Sequence, residues 1–149
     1  MSSTSHDTQI ANGTIRFQDP TELLHYLYAD LTRLSTVVSA DIILHPFYAQ
    51  SASIHGIAAV QAWEEALVTA TDGTLLMDVM SVLVEGDYGM IDGVLRARKP
   101  GLKNLDVRFQ GRWRFVEGLP VEHWEKVVDD PQDAVKWFVD AGWKRPEPQ

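Results

Sequence analysis

Two hydrophobic periodicities divide the chain, helical in the first half and strand-like in the second. Asp19-Pro20-Thr21-Glu22 combines an N-cap residue, a proline at the first helical position and a carboxylate that can bond back to the cap. Leucines then recur at three- and four-residue spacing until about residue 34, which predicts an amphipathic helix. The same signals predict a second helix between Gly56 and Gly73 and a third between Asp130 and Gly142.

The second half of the chain is dominated by four strand-like runs. They cover 75–85, 88–98, 105–116 and 121–128. Short glycine-containing connections join them, so they predict an antiparallel meander. In the third run apolar side chains and glycine alternate with Arg108, Gln110, Arg112 and Arg114, which predicts one buried face and one polar or interfacial face. A shorter run, 41–48, contains Pro46 and is predicted to be an edge strand or a strand end.

These elements predict one α+β domain whose helices close over a strongly curved antiparallel sheet. The predicted domain covers 19–143, with a flexible N-terminus over 1–18 and a flexible polar tail over 144–149. A chain of 149 residues can build one hydrophobic core of ordinary size. The enclosed space between helices and sheet is the expected binding site for a small apolar molecule.

Charge and composition narrow the range of partners and chemistries. Thirteen basic and twenty-one acidic residues give a net charge of -8, which disfavours nucleic acid and anionic membranes as partners. The chain has no cysteine, which excludes disulfides and thiolate chemistry. The spacing of its histidines does not match a metal motif, and it carries no phosphate-binding loop, so neither metal nor cofactor is predicted. The first residues lack the pattern of a signal peptide, which predicts a cytoplasmic protein.

Several short motifs, in their order along the chain, resemble the SnoaL-like polyketide cyclases of the nuclear transport factor 2-like superfamily. The motifs are Asp41 with His45-Pro46, His55-Gly56, Glu85-Gly86-Asp87, and Glu117-Gly118 followed by Val121-Glu122-His123-Trp124-Glu125. This resemblance spans about residues 20–130. It implies a cystatin-like, cone-shaped α+β barrel, a homodimer formed through the open face of the sheet, and acid/base catalysis without a cofactor.

The resemblance assigns the general acid/base role to Glu125, although the family has the shorter aspartate at that point. A histidine that the cyclases carry on the preceding strand is replaced by Gly111. A second branch, the limonene-epoxide-hydrolase-like enzymes, is similar at Asp92, but that branch has an arginine where this chain has Met90. Epoxide hydrolysis therefore remains an alternative activity.

Strand alternation puts His123 and Glu125 on one face of the last strand, and Tyr88, Met90 and Asp92 on one face of the second long strand. If both faces line the cone, two carboxylates and a histidine enter an apolar cavity, where burial raises a carboxyl pKa towards neutrality. Glu125, His123 and Asp92 are therefore the candidate catalytic residues. The candidate substrate-binding residues are His45, Tyr48, Trp63, Tyr88, Met90, Phe109 and Trp113.

Two classes of function fit this pattern. One is a cofactor-independent lyase or isomerase that acts on an apolar oxygenated molecule such as a polyketide intermediate. The other is a non-catalytic binding or dimerisation module with the same fold. A cavity of roughly 300 Å³ or more with Glu125 and Asp92 on its wall would favour the enzyme. A cone filled by Met77, Met90, Phe109 and Trp113 would favour the module.

Overall fold

The computed structural model describes residues 9–11, 14–47 and 52–144, which fold around one core. The helices are α1 (Pro20–Ala29), α2 (Ile57–Ala70) and α3 (Pro131–Ala141), and a 3-10 helix covers Leu31–Thr36. The strands are β1 (Gln9–Ala11), β2 (Thr14–Arg16), β3 (Ile43–His45), β4 (Ile54–His55), β5 (Leu76–Glu85), β6 (Tyr88–Ala97), β7 (Leu105–Val116) and β8 (Leu119–Val127). None of these helices is long and apolar enough to cross a membrane.

Six strands form a curved, unclosed sheet in the order β4-β3-β8-β7-β6-β5. Strands β5 to β8 are a continuous antiparallel meander, and β3 joins the sheet parallel to β8. Register shifts occur at Val79/Ser81 and Arg114/Phe115, and such bulges bend a strand and increase its twist. The predicted α+β fold with a curved antiparallel sheet is confirmed.

The first predicted helix is divided at Asp30. The Asp19 side chain accepts a hydrogen bond from the Thr21 backbone N–H, as the capping pattern predicts. At Asp30 the backbone is extended, and its carboxylate accepts from the Thr32 N–H, so a new 3-10 turn begins there. The leucine stripe of both pieces is nevertheless buried in the same core.

Ordered structure begins before the predicted boundary at Asp19. Strands β1 and β2 pair antiparallel within the segment expected to be flexible. Ile15 and Phe17 pack against the core, and Arg16 Nη1 donates to the Glu117 carbonyl over 2.7 Å. Residues 14–17 thus contribute to the folded domain, because Ile15 and Phe17 cover part of the core. Residues 1–8 and 145–149, with most of the predicted tail, lie outside the described residues.

The core lies between the concave face of the sheet and the helices. On β6 the inward positions are Gly89, Ile91, Gly93 and Leu95, all of which are buried. Two inward-facing glycines leave room for close contacts. A Cβ at Gly93 would collide with the Asp78 carbonyl oxygen, and one at Gly111 would collide with the Tyr28 hydroxyl. The glycine at position 111 therefore admits Tyr28 to the site described next.

Candidate active site

A small, partly open cavity lies between the concave face of the sheet and the helices. Its volume is about 40 Å³, which is room for roughly three water-sized groups. The side chains and backbone on its wall come from Tyr28, Leu31, Leu34, Phe47, Glu64, Leu67, Met77, Leu95, Phe109, Gln110, Gly111, Trp113, His123, Glu125, Lys126, Val127 and Phe138. The wall is mostly apolar, and its acidic side chains come from two elements, Glu64 from α2 and Glu125 from β8.

His123 and Glu125 both project from β8 into this cavity. His123 retains 4% of its exposure. The Glu125 side chain retains 15%, and its Oε2 lies 3.9 Å from His123 Nε2. The inward orientation expected for these two residues is therefore found, because alternation along β8 places them on the concave face.

The His123 ring is held as a neutral base. Its Nδ1 lies 3.0 Å from the Arg112 carbonyl oxygen, an acceptor only, so Nδ1 carries the proton. The ring also stacks on Trp113 with a centroid distance of 3.6 Å. Burial lowers the pKa of His123 to about 3. Its free Nε2 therefore presents a lone pair towards the Glu125 carboxyl.

Glu64 is an acidic residue of the cavity that the sequence analysis did not identify. It projects from α2, retains 3% of its exposure and lies close enough to Glu125 for the two carboxyls to interact. Its Oε1 is buried and has no hydrogen-bond partner among the described residues. A signal was present, because Glu64 interrupts the apolar stripe formed by Val60, Trp63 and Leu67 at helical spacing. A carboxylate at such a position is a candidate functional group.

The two carboxyls share one environment but titrate differently. Burial raises the pKa of Glu64 well above its usual value, and the neighbouring Glu125 charge raises it further. Burial also raises the pKa of Glu125, but hydrogen bonds from Glu64 and from the Phe47 N–H, 3.3 Å away, act in the opposite direction. The Trp63 indole N–H also lowers the Glu125 pKa. It forms no hydrogen bond of standard geometry with a described residue. The pKa of Glu64 is therefore raised more than that of Glu125, so a proton held between the two carboxyls favours Glu64.

Tyr28 adds a hydroxyl donor to the site. Its oxygen accepts a hydrogen bond of 3.0 Å from the Trp113 indole N–H, which leaves the hydroxyl proton available for another acceptor. Burial raises the Tyr28 pKa, and the charges of Glu64 and Glu125 act in the same direction, so this proton is retained at all ordinary pH values. Tyr28 was also missed, although it too is a polar-tipped residue within a leucine stripe.

Asp92, Tyr88 and Met90 lie on the outer face of the sheet, so the expectation that they line the cavity is wrong. Alternation on β6 turns Ile91 inward and these three residues outward. Asp92 accepts a hydrogen bond of 2.9 Å from Gln110 Nε2, and the Tyr88 ring lies under the Arg112 guanidinium. The resemblance to epoxide hydrolases depended on Asp92, which does not line the cavity.

His45 also lies on the outer face, contrary to its expected role in substrate binding. Its Nε2 bonds Glu122 Oε2 over 2.6 Å, and its ring stacks on Trp124. The parallel pairing of β3 with β8 explains this placement. It sets Leu44 beside His123 on the inner face and His45 beside Trp124 on the outer face.

The other candidate substrate-binding residues have three different outcomes. Phe109 and Trp113 line the cavity. Trp63 is buried in the core behind the cavity wall, near Glu125. Tyr48 lies outside the described residues. Within the described ranges, His, Asp and Glu side chains do not form a group of three or more that could hold a metal ion.

Solved structures with similar backbones were found for most of the chain. A cystatin-like protein of unknown function from Xanthomonas campestris superimposes with a TM-score of 0.67 at 20% identity, over 86% of this chain and all of that one. A candidate SnoaL-like polyketide cyclase from Jannaschia sp. CCS1 gives 0.65 at 17% identity, over 82% of this chain and 92% of that one. The chain has the nuclear transport factor 2-like fold.

A third neighbour with the nuclear transport factor 2-like architecture contains a ligand. It is a protein with a ketosteroid isomerase-like fold from Catenulispora acidiphila in complex with trimethylamine, with a TM-score of 0.58 at 15% identity, over 72% of this chain and 84% of that one. Protein-family models gave no match to the sequence, and neither did a search of curated proteins. At identities this low, the similar backbones establish the fold alone. The chemistry of this chain has to be inferred from its cavity.

Proposed function

We propose that this chain is a cofactor-independent acid/base enzyme, a lyase or isomerase that acts on a small apolar oxygenated molecule. A polyketide-type intermediate of secondary metabolism is one such substrate, and the similarity to a candidate polyketide cyclase supports that class. The observation that carries the proposal is the pair formed by the buried Glu64 and the largely buried Glu125 on the wall of an apolar cavity. Desolvated carboxyls with unequal proton affinity are suited to proton transfer near neutral pH.

The proposed reaction begins at Glu125. Its carboxylate removes a proton from a carbon next to a carbonyl group, while the protonated Glu64 keeps it oriented through their hydrogen bond. The Tyr28 hydroxyl donates to the enolate oxygen that develops. Glu125 then returns the proton to a different carbon, or the enolate reacts further by ring closure or loss of water. His123 positions Glu125 and presents an acceptor to the protonated form of its carboxyl.

The cavity volume limits how the substrate is bound. About 40 Å³ accommodates a carbonyl group and its neighbouring carbon, but not a multi-ring molecule. The remainder of a larger substrate would extend through the open side of the cavity, where Glu125 retains some exposure. Suitable substrates therefore have a reacting end that is small and unbranched.

The test is exchange of α-hydrogen atoms with deuterium from the solvent. Acetone, butanone and acetylacetone would be incubated with the protein in D₂O, and loss of the α-proton signal would be followed by ¹H NMR. We expect the protein to accelerate exchange of at least one ketone above the buffer rate. Exchange at the buffer rate for all of them, under conditions where the protein is folded, would contradict the proposal.

Substitutions at Glu64 test the location of the shared proton. Glu64→Gln keeps a hydrogen-bond donor towards Glu125 and is expected to retain exchange within a few-fold of wild type. Glu64→Met removes the donor and should slow exchange by roughly 10- to 100-fold, the worth of one hydrogen bond to a charged group. Glu65→Gln is the matched control, since Glu65 is the next residue of α2 and is exposed. Equal rates for Glu64→Gln and Glu64→Met would contradict the assignment of the proton.

A second candidate function is a non-catalytic binding module. The volume of the cavity favours it, since 40 Å³ is well below the size of most substrate pockets. The cavity is small partly because three of the four side chains expected to fill the cone, Met77, Phe109 and Trp113, lie on its wall. The fourth, Met90, lies on the outer face. The exchange assay separates the two functions, because a module would leave the ketones unexchanged.

We also propose that the outer face of the sheet forms a homodimer. This face carries exposed apolar side chains beside the arginine row of β7, among them Leu83 and Tyr88. Arg112 lies between the Tyr88 and Trp124 rings, which holds this polar part of the face in a fixed arrangement. Isologous contact of two such faces would cover the apolar side chains.

A charge introduced on the outer face should weaken this dimer. Leu83 is 63% exposed, and Leu83→Glu is expected to shift the protein towards monomer in light scattering coupled to size-exclusion chromatography. Val139→Glu on α3 is the matched control, because Val139 is 53% exposed but lies on a helix outside this face. A monomeric wild type, or a Leu83→Glu protein that remains as dimeric as wild type, would contradict the proposed interface.

A further inference from the structure

We infer that the cavity is also a binding site for a small organic ammonium ion, of about the size of protonated ethylamine. The inference concerns the cavity of the proposed enzyme, but it depends on the unpaired acceptor and the charge there rather than on proton transfer. Three features of the wall support it.

The first feature is an acceptor without a donor. Glu64 lines the cavity, and its buried Oε1 has no hydrogen-bond partner among the described residues. Buried acceptors are nearly always satisfied, and an unsatisfied one is costly. A molecule in the cavity that brings an N–H donor would remove this cost.

The second feature is negative charge without a compensating cation. Glu125 contributes a carboxylate, and His123, which also lines the cavity, is neutral. The only basic side chain among the described lining residues is Lys126, which is exposed at an outward position of β8. A buried carboxylate that lacks a paired cation is unfavourable, and a cationic ligand would supply the missing charge.

The third feature is the composition and size of the rest of the wall. Tyr28, Phe47, Phe109, Trp113 and Phe138 place five aromatic rings around the acidic groups. Aromatic faces attract alkylammonium ions. A volume of about 40 Å³ matches two or three non-hydrogen atoms, which selects the smallest primary and secondary amines.

The experiment compares ethylammonium chloride with ethanol, which has the same number of non-hydrogen atoms but no charge. Binding to the full chain is followed by the indole N–H resonance of Trp113 in ¹⁵N-labelled protein, with potassium chloride at equal ionic strength as the salt control. We expect a saturable shift with ethylammonium, at least ten-fold weaker binding of ethanol, and no saturable shift with potassium chloride. Equal binding of ethanol, or the same shift with potassium chloride, would overturn the inference.

Variants locate the site. Glu125→Gln and Glu64→Met should each weaken ethylammonium binding at least ten-fold, and the exposed Glu65→Gln should leave it unchanged. Unchanged binding in folded Glu125→Gln protein would overturn the inference. If either variant fails to fold, the comparison of ethylammonium with ethanol in wild type still decides. Ketone exchange without ethylammonium binding would overturn this inference alone, whereas binding without exchange would support it and contradict the enzyme.

Discussion

Glu125→Gln is expected to lower the rate of ketone α-hydrogen exchange by roughly 10²- to 10⁴-fold, the usual contribution of a positioned general base. The amide is close in size to the carboxyl and can still accept from the Phe47 N–H, so the packing of the cavity is retained. What it lacks is the basic carboxylate that takes the substrate proton. The measurement is the same ¹H NMR assay, at equal concentrations of folded wild-type and variant protein.

A matched pair of substitutions completes this test. Glu117→Gln changes the same functional group on the β7–β8 turn, where the side chain is exposed, and should exchange ketones at the wild-type rate. Glu125→Asp keeps the base but draws it back by one methylene, so an intermediate rate is expected. Wild-type exchange by Glu125→Gln would remove this residue from the mechanism and leave the proposed chemistry without a base.

His123 is expected to contribute stability that is lost steeply as the pH falls. The unfolded chain takes up a proton on this residue near its usual pKa of 6.5, whereas the folded protein resists protonation until about pH 3. The His123 contribution is therefore complete above pH 6.5 and is lost as the pH falls from there towards 3. The slope is about 1.4 kcal/mol per pH unit, and the total reaches roughly 4–5 kcal/mol.

Denaturant unfolding at several pH values isolates this contribution. Glu64 and Glu125 have raised pKa values, so they act in the opposite sense and stabilise the folded state as the pH falls. The difference in free energy of unfolding between wild type and His123→Gln removes this shared background. That difference should shrink from pH 7 to pH 4. His25→Gln, at an exposed position of α1, should follow wild type, and a pH-independent difference for His123→Gln would contradict the prediction.

Much of the architecture could be predicted from local patterns because its causes are local. The caps at Asp19 and Asp130, with proline after each, begin helices where predicted. Alternating side chains and glycine turns predicted the β5–β8 meander, and its strand ends agree within a few residues. The break at Asp30 was missed because an aspartate inside a leucine stripe is compatible with either a helix interior or a new cap.

The site was predicted only in part, because periodicity separates the two faces of a strand without saying which is concave. For β8 the inward face was predicted as it is found, with His123 and Glu125 towards the cavity. For β6 the opposite face was expected, and Asp92, Tyr88 and Met90 were placed inside when they lie outside. The glycines at 89 and 93 were the contrary signal, since small residues mark positions where the core approaches closely.

The sequence by itself determined the α+β class, the meander and the alternation of side chains along each strand, since these follow from backbone geometry and neighbouring residues. Only the tertiary structure decided that Glu64 of α2 meets Glu125 of β8, that Tyr28 reaches them past Gly111, and that the cavity is small. The physical reason is that curvature and helix docking bring together residues far apart in the chain. Their mutual burial, rather than their local pattern, sets the proton affinities on which the proposed chemistry depends.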